Sequence, residues 1–167
     1  MLKPKLVVLF FGTLALSSIL LGFIIKYSKN NKSPKEINQP SPYTTEVKIN
    51  NSQIFVDIAD TADKQRQGLS GRYDMKENEG MLFSFAYYTS PSFWMKEMLF
   101  PLDFIWIKDG EIVQIDENIP APAPGTPDNE LNFISPKESV NYVLEVNAGF
   151  VEKNGIEVGD EVVISAI

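Results

Sequence analysis

The run Phe104-Ile-Trp-Ile-Lys-Asp-Gly-Glu-Ile-Val-Gln-Ile115 decides the fold class. Two stretches rich in β-branched and aromatic residues flank Asp109-Gly110. An Asp-Gly pair between such runs is the strongest short-range hairpin signal, because the tight turn needs residues that accept positive φ. Upstream, 43–49 and 53–58 alternate apolar and polar residues around Asn50-Asn51-Ser52, which predicts a second hairpin. Residues 81–85, 93–95, 141–146 and 161–165 read as further short strands.

Helical signals are few. Asp60 or Thr61 can cap a helix that Gly68 ends, and Asn147 can cap one that Gly155 ends. Five prolines between 118 and 137 mark a long loop or flap. The sum is a mainly β (α+β) domain, a small closed or partly closed β-barrel with two short helices.

That domain occupies 43–167. Before it, residues 6–25 carry no charge and as a helix would span about 30 Å, enough for the hydrocarbon core of a bilayer. Residues 1–25 are therefore expected to be one N-terminal transmembrane signal-anchor. Lysines flank both ends of the run, so counting them does not orient it. The competing expectation is a signal peptide cleaved after Ala15-Leu16-Ser17, but that cut would leave eight largely apolar residues at the new N-terminus. Residues 26–42 are polar, end in Pro-Ser-Pro, and read as a flexible linker. This places the folded domain outside the cytoplasm, single-pass at the cell membrane, or secreted or periplasmic after cleavage.

Composition excludes whole classes of chemistry. The chain has neither cysteine nor histidine. Serine–histidine and cysteine–histidine catalysis, thiolate or histidine metal sites and disulfides are all ruled out within it. From Tyr43 onward nine basic residues face twenty-one acidic ones, a net charge of −12. A surface this acidic repels nucleic acid. No cofactor and no metal site is expected.

The motifs Arg66-Gln-Gly-Leu-Ser-Gly-Arg72, Glu79-Gly-Met-Leu-Phe83, Phe93-Trp-Met-Lys96, Pro101-Leu-Asp103, Tyr142-Val-Leu-Glu145 and Gly155-Ile-Glu-Val-Gly-Asp160 occur in that order. In this the chain resembles the domain-of-unknown-function family number 192, over about 53–164. The resemblance implies a compact, mainly-β domain, often behind an export signal, and no agreed activity. One departure is that Glu97-Met98 stands where that family commonly has Asn-Thr.

Between Glu79 and Asp103 charges sit among aromatics, which suggests a core that opens onto a polar site. Arg66 and Arg72 could fork around an anionic group, or instead pin the loop through Glu79 or Asp103. Trp94 and Lys96 share a strand face, so an aromatic wall stands beside an ammonium. The candidate ligand-binding set is therefore Arg66, Arg72, Glu79, Trp94, Lys96 and Asp103, with no catalytic residue assigned. The leading expectation is a membrane-anchored extracytoplasmic binding or accessory module for a small anionic or carbohydrate-like molecule. One alternative is a carboxylate-based hydrolase or lyase using Glu79 and Asp103. Another is a protein-interaction domain using the flap 118–137 and Tyr87-Tyr88.

Overall fold

A computed structural model of the protein describes residues 43–166. The expected anchor at 6–25 and the linker at 26–42 lie outside the described residues. Among the described residues no helix is long and apolar enough to cross a membrane.

The chain forms β1 (Thr45–Ile49), β2 (Ser52–Ala59), α1 (Ala62–Gln67), β3 (Glu79–Thr89), β4 (Phe93–Trp94) and β5 (Leu102–Lys108). It continues through β6 (Glu111–Ile119), a 3-10 turn (Asp128–Glu130), β7 (Phe133–Ile134), β8 (Val140–Asn147), α2 (Phe150–Asn154) and β9 (Val162–Ala166). Seven strands make one mixed sheet in the order β6-β5-β8-β3-β2-β1-β9, and β4 pairs with β7 in a small second sheet.

Both predicted hairpins form. Asp109 and Gly110 take φ of 54° and 81° between β5 and β6, the positive values that this turn chemistry favours. Asn50 is left-handed in the β1–β2 turn. Thr61 caps α1 by accepting the Lys64 N–H, and Gly68 ends the helix with its N–H on Lys64 O. β2 and β3 are parallel, and α1 with the loop after it supplies the crossover such a pairing needs. β3 runs for eleven residues rather than the expected five, because it bulges between Ser84 and Thr89 and rejoins β8 beyond the bulge. The second helix begins after Gly149, so Asn147 does not cap it; its amide donates instead to Met75 O and Lys76 O.

The sheet curls into a half-barrel. Its edge strands β6 and β9 meet at one corner, where Gly159 and Val162 donate to Ile112 O and Gly110 O, each at 2.8 Å. Strands β5 and β8 and the first half of β3 are buried on both faces, which is why they carry near-continuous apolar runs. Leu82, Leu144 and Ile105 lie in one cross-strand row inside the curl, with Val56 and Val146 and with Phe150 and Val151 of α2. On the opposite face stand Phe83, Val143 and Trp106, covered by Leu69, Met95 and Met98. Phe93 is the keystone of that second layer. Its ring meets Phe83, Phe104 and Trp106 edge-on at 4.8–5.7 Å, and this pins β4 over the sheet.

Gly80 sits on β3 with the backbone of β8 close against it. A Cβ there would lie 2.7 Å from Glu145 O, a backbone atom that cannot rotate away. Gly80→Ala is expected to destabilise the domain by about 1–3 kcal/mol, the usual cost of overpacking. Thermal unfolding checks this, and an unchanged Tm would show that the two strands part freely.

Candidate functional site

Register alone places the charged residues on two faces. Asp57 pairs with Met81, Met81 with Glu145, Glu145 with Phe104, and Phe104 with Asp116, so these five form one cross-strand row on one face. Val56, Gly80, Val146 and Asp103 form the next row, on the other face. Glu79 precedes Gly80 and so projects with Met81, away from Asp103. Two carboxylates on opposite faces of one sheet cannot work together on one bond.

Asp103 is fully buried and acts as a clasp. One carboxylate oxygen accepts the Asn118 N–H at 2.8 Å and the other accepts the Val151 N–H at 3.1 Å. Gly149 has no side chain with which to cap α2, so Asp103 caps its first turn from a distant strand. Asn118, held at φ 55°, turns its N–H toward the same carboxylate.

Arg72 stands on the row's own face. The turn after α1, closed by Arg72 N–H on Leu69 O, brings its guanidinium to within 2.5 Å of Asp57. Both side chains remain about one-third to two-fifths exposed. They line an open cleft of about 410 Å³ with Thr44, Gln67, Ser70 and Met81. Glu79 lies nearby. Burial pushes its carboxyl up, but the Lys76 N–H and ammonium and the Tyr43 hydroxyl together bring it below the usual range. Burial, then the bond to Glu79, push the Tyr43 hydroxyl up to about 12, and Tyr43 also senses the charges of Asp57 and Arg72.

β4 ends at Trp94, so Lys96 stands in the turn after it rather than on a strand face, yet the two side chains meet. The Lys96 ammonium lies 5.3 Å from the Trp94 ring centroid, and Phe133 stacks on that ring. Lys96 is also paired with Asp128 at 2.5 Å, and that bond is the main cause that raises its pKa. Arg66 pairs with Asp63 on the exposed side of α1. Arg66 and Trp94 both border a small cavity of about 30 Å³ behind the turn at 67–70. The six candidate residues thus do not line one pocket. Arg72 belongs to the open cleft, Glu79 to Lys76 outside its lining, Arg66 and Trp94 to the small cavity, Lys96 to Trp94 and Asp128, and Asp103 to the opposite face.

Glu145 is the residue that sequence reasoning missed. It lines the small cavity, it is 5% exposed, and no hydrogen bond or ion pair holds its carboxyl among the described residues. Burial pushes its pKa up to about 8, while the charge of Arg72 pulls the other way. The signal was present in Tyr142-Val-Leu-Glu-Val146: an acid in a strand apolar on both faces must be buried. Among the described residues no group of acidic side chains could hold a metal ion.

Comparison with curated proteins gives no match. Two crystal structures share the fold. One is a protein from Sinorhizobium meliloti 1021 described as a candidate transcription regulator, 32% identical, with a TM-score of 0.63 over 74% of this chain and 95% of that one. The other is a protein of unknown function from Novosphingobium aromaticivorans DSM 12444, 24% identical, with a TM-score of 0.64 over 79% of this chain and 94% of that one. The sequence pattern described as DUF192, uncharacterized ACR, matches residues 45–164. By that match the chain belongs to the DUF192 family of uncharacterized domains.

Proposed function

We propose that the protein is an extracytoplasmic binding module, anchored through residues 6–25 and tethered by 26–42, that takes a small neutral polyhydroxylated ligand of carbohydrate type. The observation that carries this reading is the Arg72–Asp57 pair on the wall of the 410 Å³ cleft. A guanidinium supplies only donors and a carboxylate only acceptors, and Gln67, Ser70 and Thr44 add groups that do both. Hydroxyl-rich molecules need that mixture. An anion is the poorer fit, because Asp57 already balances Arg72 and the domain carries a net charge of −12. The same charge disfavours nucleic acid, the partner that the S. meliloti protein's description would suggest.

Thermal shift of the full-length protein tests the reading with glucose, N-acetylglucosamine, maltose and cellobiose, and with acetate, citrate and phosphate as comparators. A bound sugar at ten times its Kd should stabilise the domain by about 1.4 kcal/mol, a rise of a few degrees. Arg72→Ala should abolish most of that rise while leaving the ligand-free Tm within a degree or two, since a half-exposed pair contributes about 0–1 kcal/mol. A rise with the anions alone would overturn the ligand class, and a rise that Arg72→Ala leaves intact would move the site elsewhere.

A further inference from the structure

We infer that Glu145 is the hidden floor of this ligand site, a neutral carboxyl that donates a hydrogen bond to one hydroxyl group inserted behind the 67–70 turn. The inference rests on the binding reading above and extends it inward.

Each of the other buried acids is held. Asp103 accepts two backbone N–H groups, and Glu46 pairs with Lys48 and accepts from Gln53. Among the described residues the Glu145 carboxyl has no such hydrogen bond or ion pair, although the residue lies within the sheet between Met81 and Phe104. Such a group weakens the fold unless something satisfies it. Leucine or methionine would fill the place at no such cost. A carboxyl there is therefore explained by what enters from outside.

The space beside it fits that role. The cavity of about 30 Å³ holds one water molecule or one hydroxyl group and little more. Gln67, Gly68 and Ser70 line it on one side and line the open cleft on the other, so a single turn of chain separates Glu145 from the proposed ligand. That turn contains Gly68 and is followed by Gly71, both at positive φ, and is tied down by Ser70 Oγ on Lys96 O and Gly71 N–H on Glu97 O. Arg72 links the two spaces electrically, since it bonds Asp57 in the cleft and its charge reaches Glu145. The protonated carboxyl is a donor, whereas the ionised one only accepts. Arg66 lines the same cavity as Glu145, and Arg72, bonded to Asp57, acts on Glu145 through its charge.

The test uses the full-length protein and the four sugars named above, with affinity read by calorimetry at pH 7 and pH 9. Wild-type affinity should fall roughly tenfold across that interval, as a carboxyl titrating near 8 gives up its proton. Glu145→Gln, which keeps a donor at every pH, should bind with a flat profile. Glu145→Leu should be the more stable protein without ligand and should bind about tenfold more weakly at pH 7. A flat wild-type profile, or full affinity in Glu145→Leu, overturns the inference. If Arg72→Ala abolishes binding and Glu145→Leu does not, the cleft stands and its floor falls. If no sugar binds the wild-type protein, both fall together.

Discussion

Between pH 5 and pH 8 the wild-type domain is expected to lose about 3–4 kcal/mol of stability, and a Glu145→Gln protein is expected to lose almost none. The cause is the buried carboxyl, raised from an ordinary 4.5 to about 8 in the folded state. Between those two values the folded chain binds a proton that the unfolded chain has released, so stability falls as pH rises through the interval and levels off above it. A shift of this size corresponds to roughly 4–5 kcal/mol over its full span, most of it inside the window. The window is unusually clean, because the chain has no histidine to titrate there. Below it, Glu79, held low by Lys76 and Tyr43 despite its burial, loses its contribution as acid protonates it, so stability should peak near pH 5. Urea midpoints at pH 5, 6.5 and 8 for the two proteins decide the matter. Parallel curves would mean that Glu145 ionises normally in the folded state.

Asp103→Ala should cost about 3–5 kcal/mol, a large share of the 5–15 kcal/mol typical of a domain. Two N–H groups lose a charged acceptor at once, each bond of this kind contributing roughly 1.5–3 kcal/mol. The damage should spread beyond the strand. Asn118 anchors the end of β6 and Val151 opens α2, so both elements should fray together. Asp103→Asn, which keeps one acceptor oxygen, should fall between alanine and wild type. Urea unfolding gives the magnitudes, and amide exchange at Val151 and Asn118 reports the local effect. An alanine variant as stable as wild type would remove the clasp from the account of the fold.

How much of this was legible in the sequence differs by element. Turn chemistry is local, so Asp109-Gly110 and Asn50-Asn51 announced their hairpins, and Thr61 and Gly68 bounded their helix. The parallel pairing of β2 with β3 was not legible, because it depends on where a nineteen-residue crossover lands rather than on any residue in it. Nor was the length of β3, since a bulge leaves no local mark in Ser84–Thr89. The dense run from Glu79 to Asp103 is unusual in setting charges among aromatics, but its charges serve different ends. Alternation shows this once the strand phases are known. Glu79 follows Met81 and Phe83, whereas Asp103 follows Ile105 and Ile107. Of the six candidate residues, Arg72 alone lines the cleft on which the function is proposed. Asp57 and Glu145 stand far apart in sequence, and only the pairing of β2, β3 and β8 sets them in one row.

The pairing of β1 with β9 joins Thr45–Ile49 to Val162–Ala166, the two ends of the folded domain. During synthesis β1 emerges before the other strands of the sheet, and its outer edge stays uncovered until β9 follows. Contacts between segments so far apart in sequence form slowly. A ribosome-bound chain lacking β9 also cannot tie the sheet's corner, because Gly110 and Ile112 find their partners only at 159–162. The sheet therefore stays incomplete until β9 has followed the other strands.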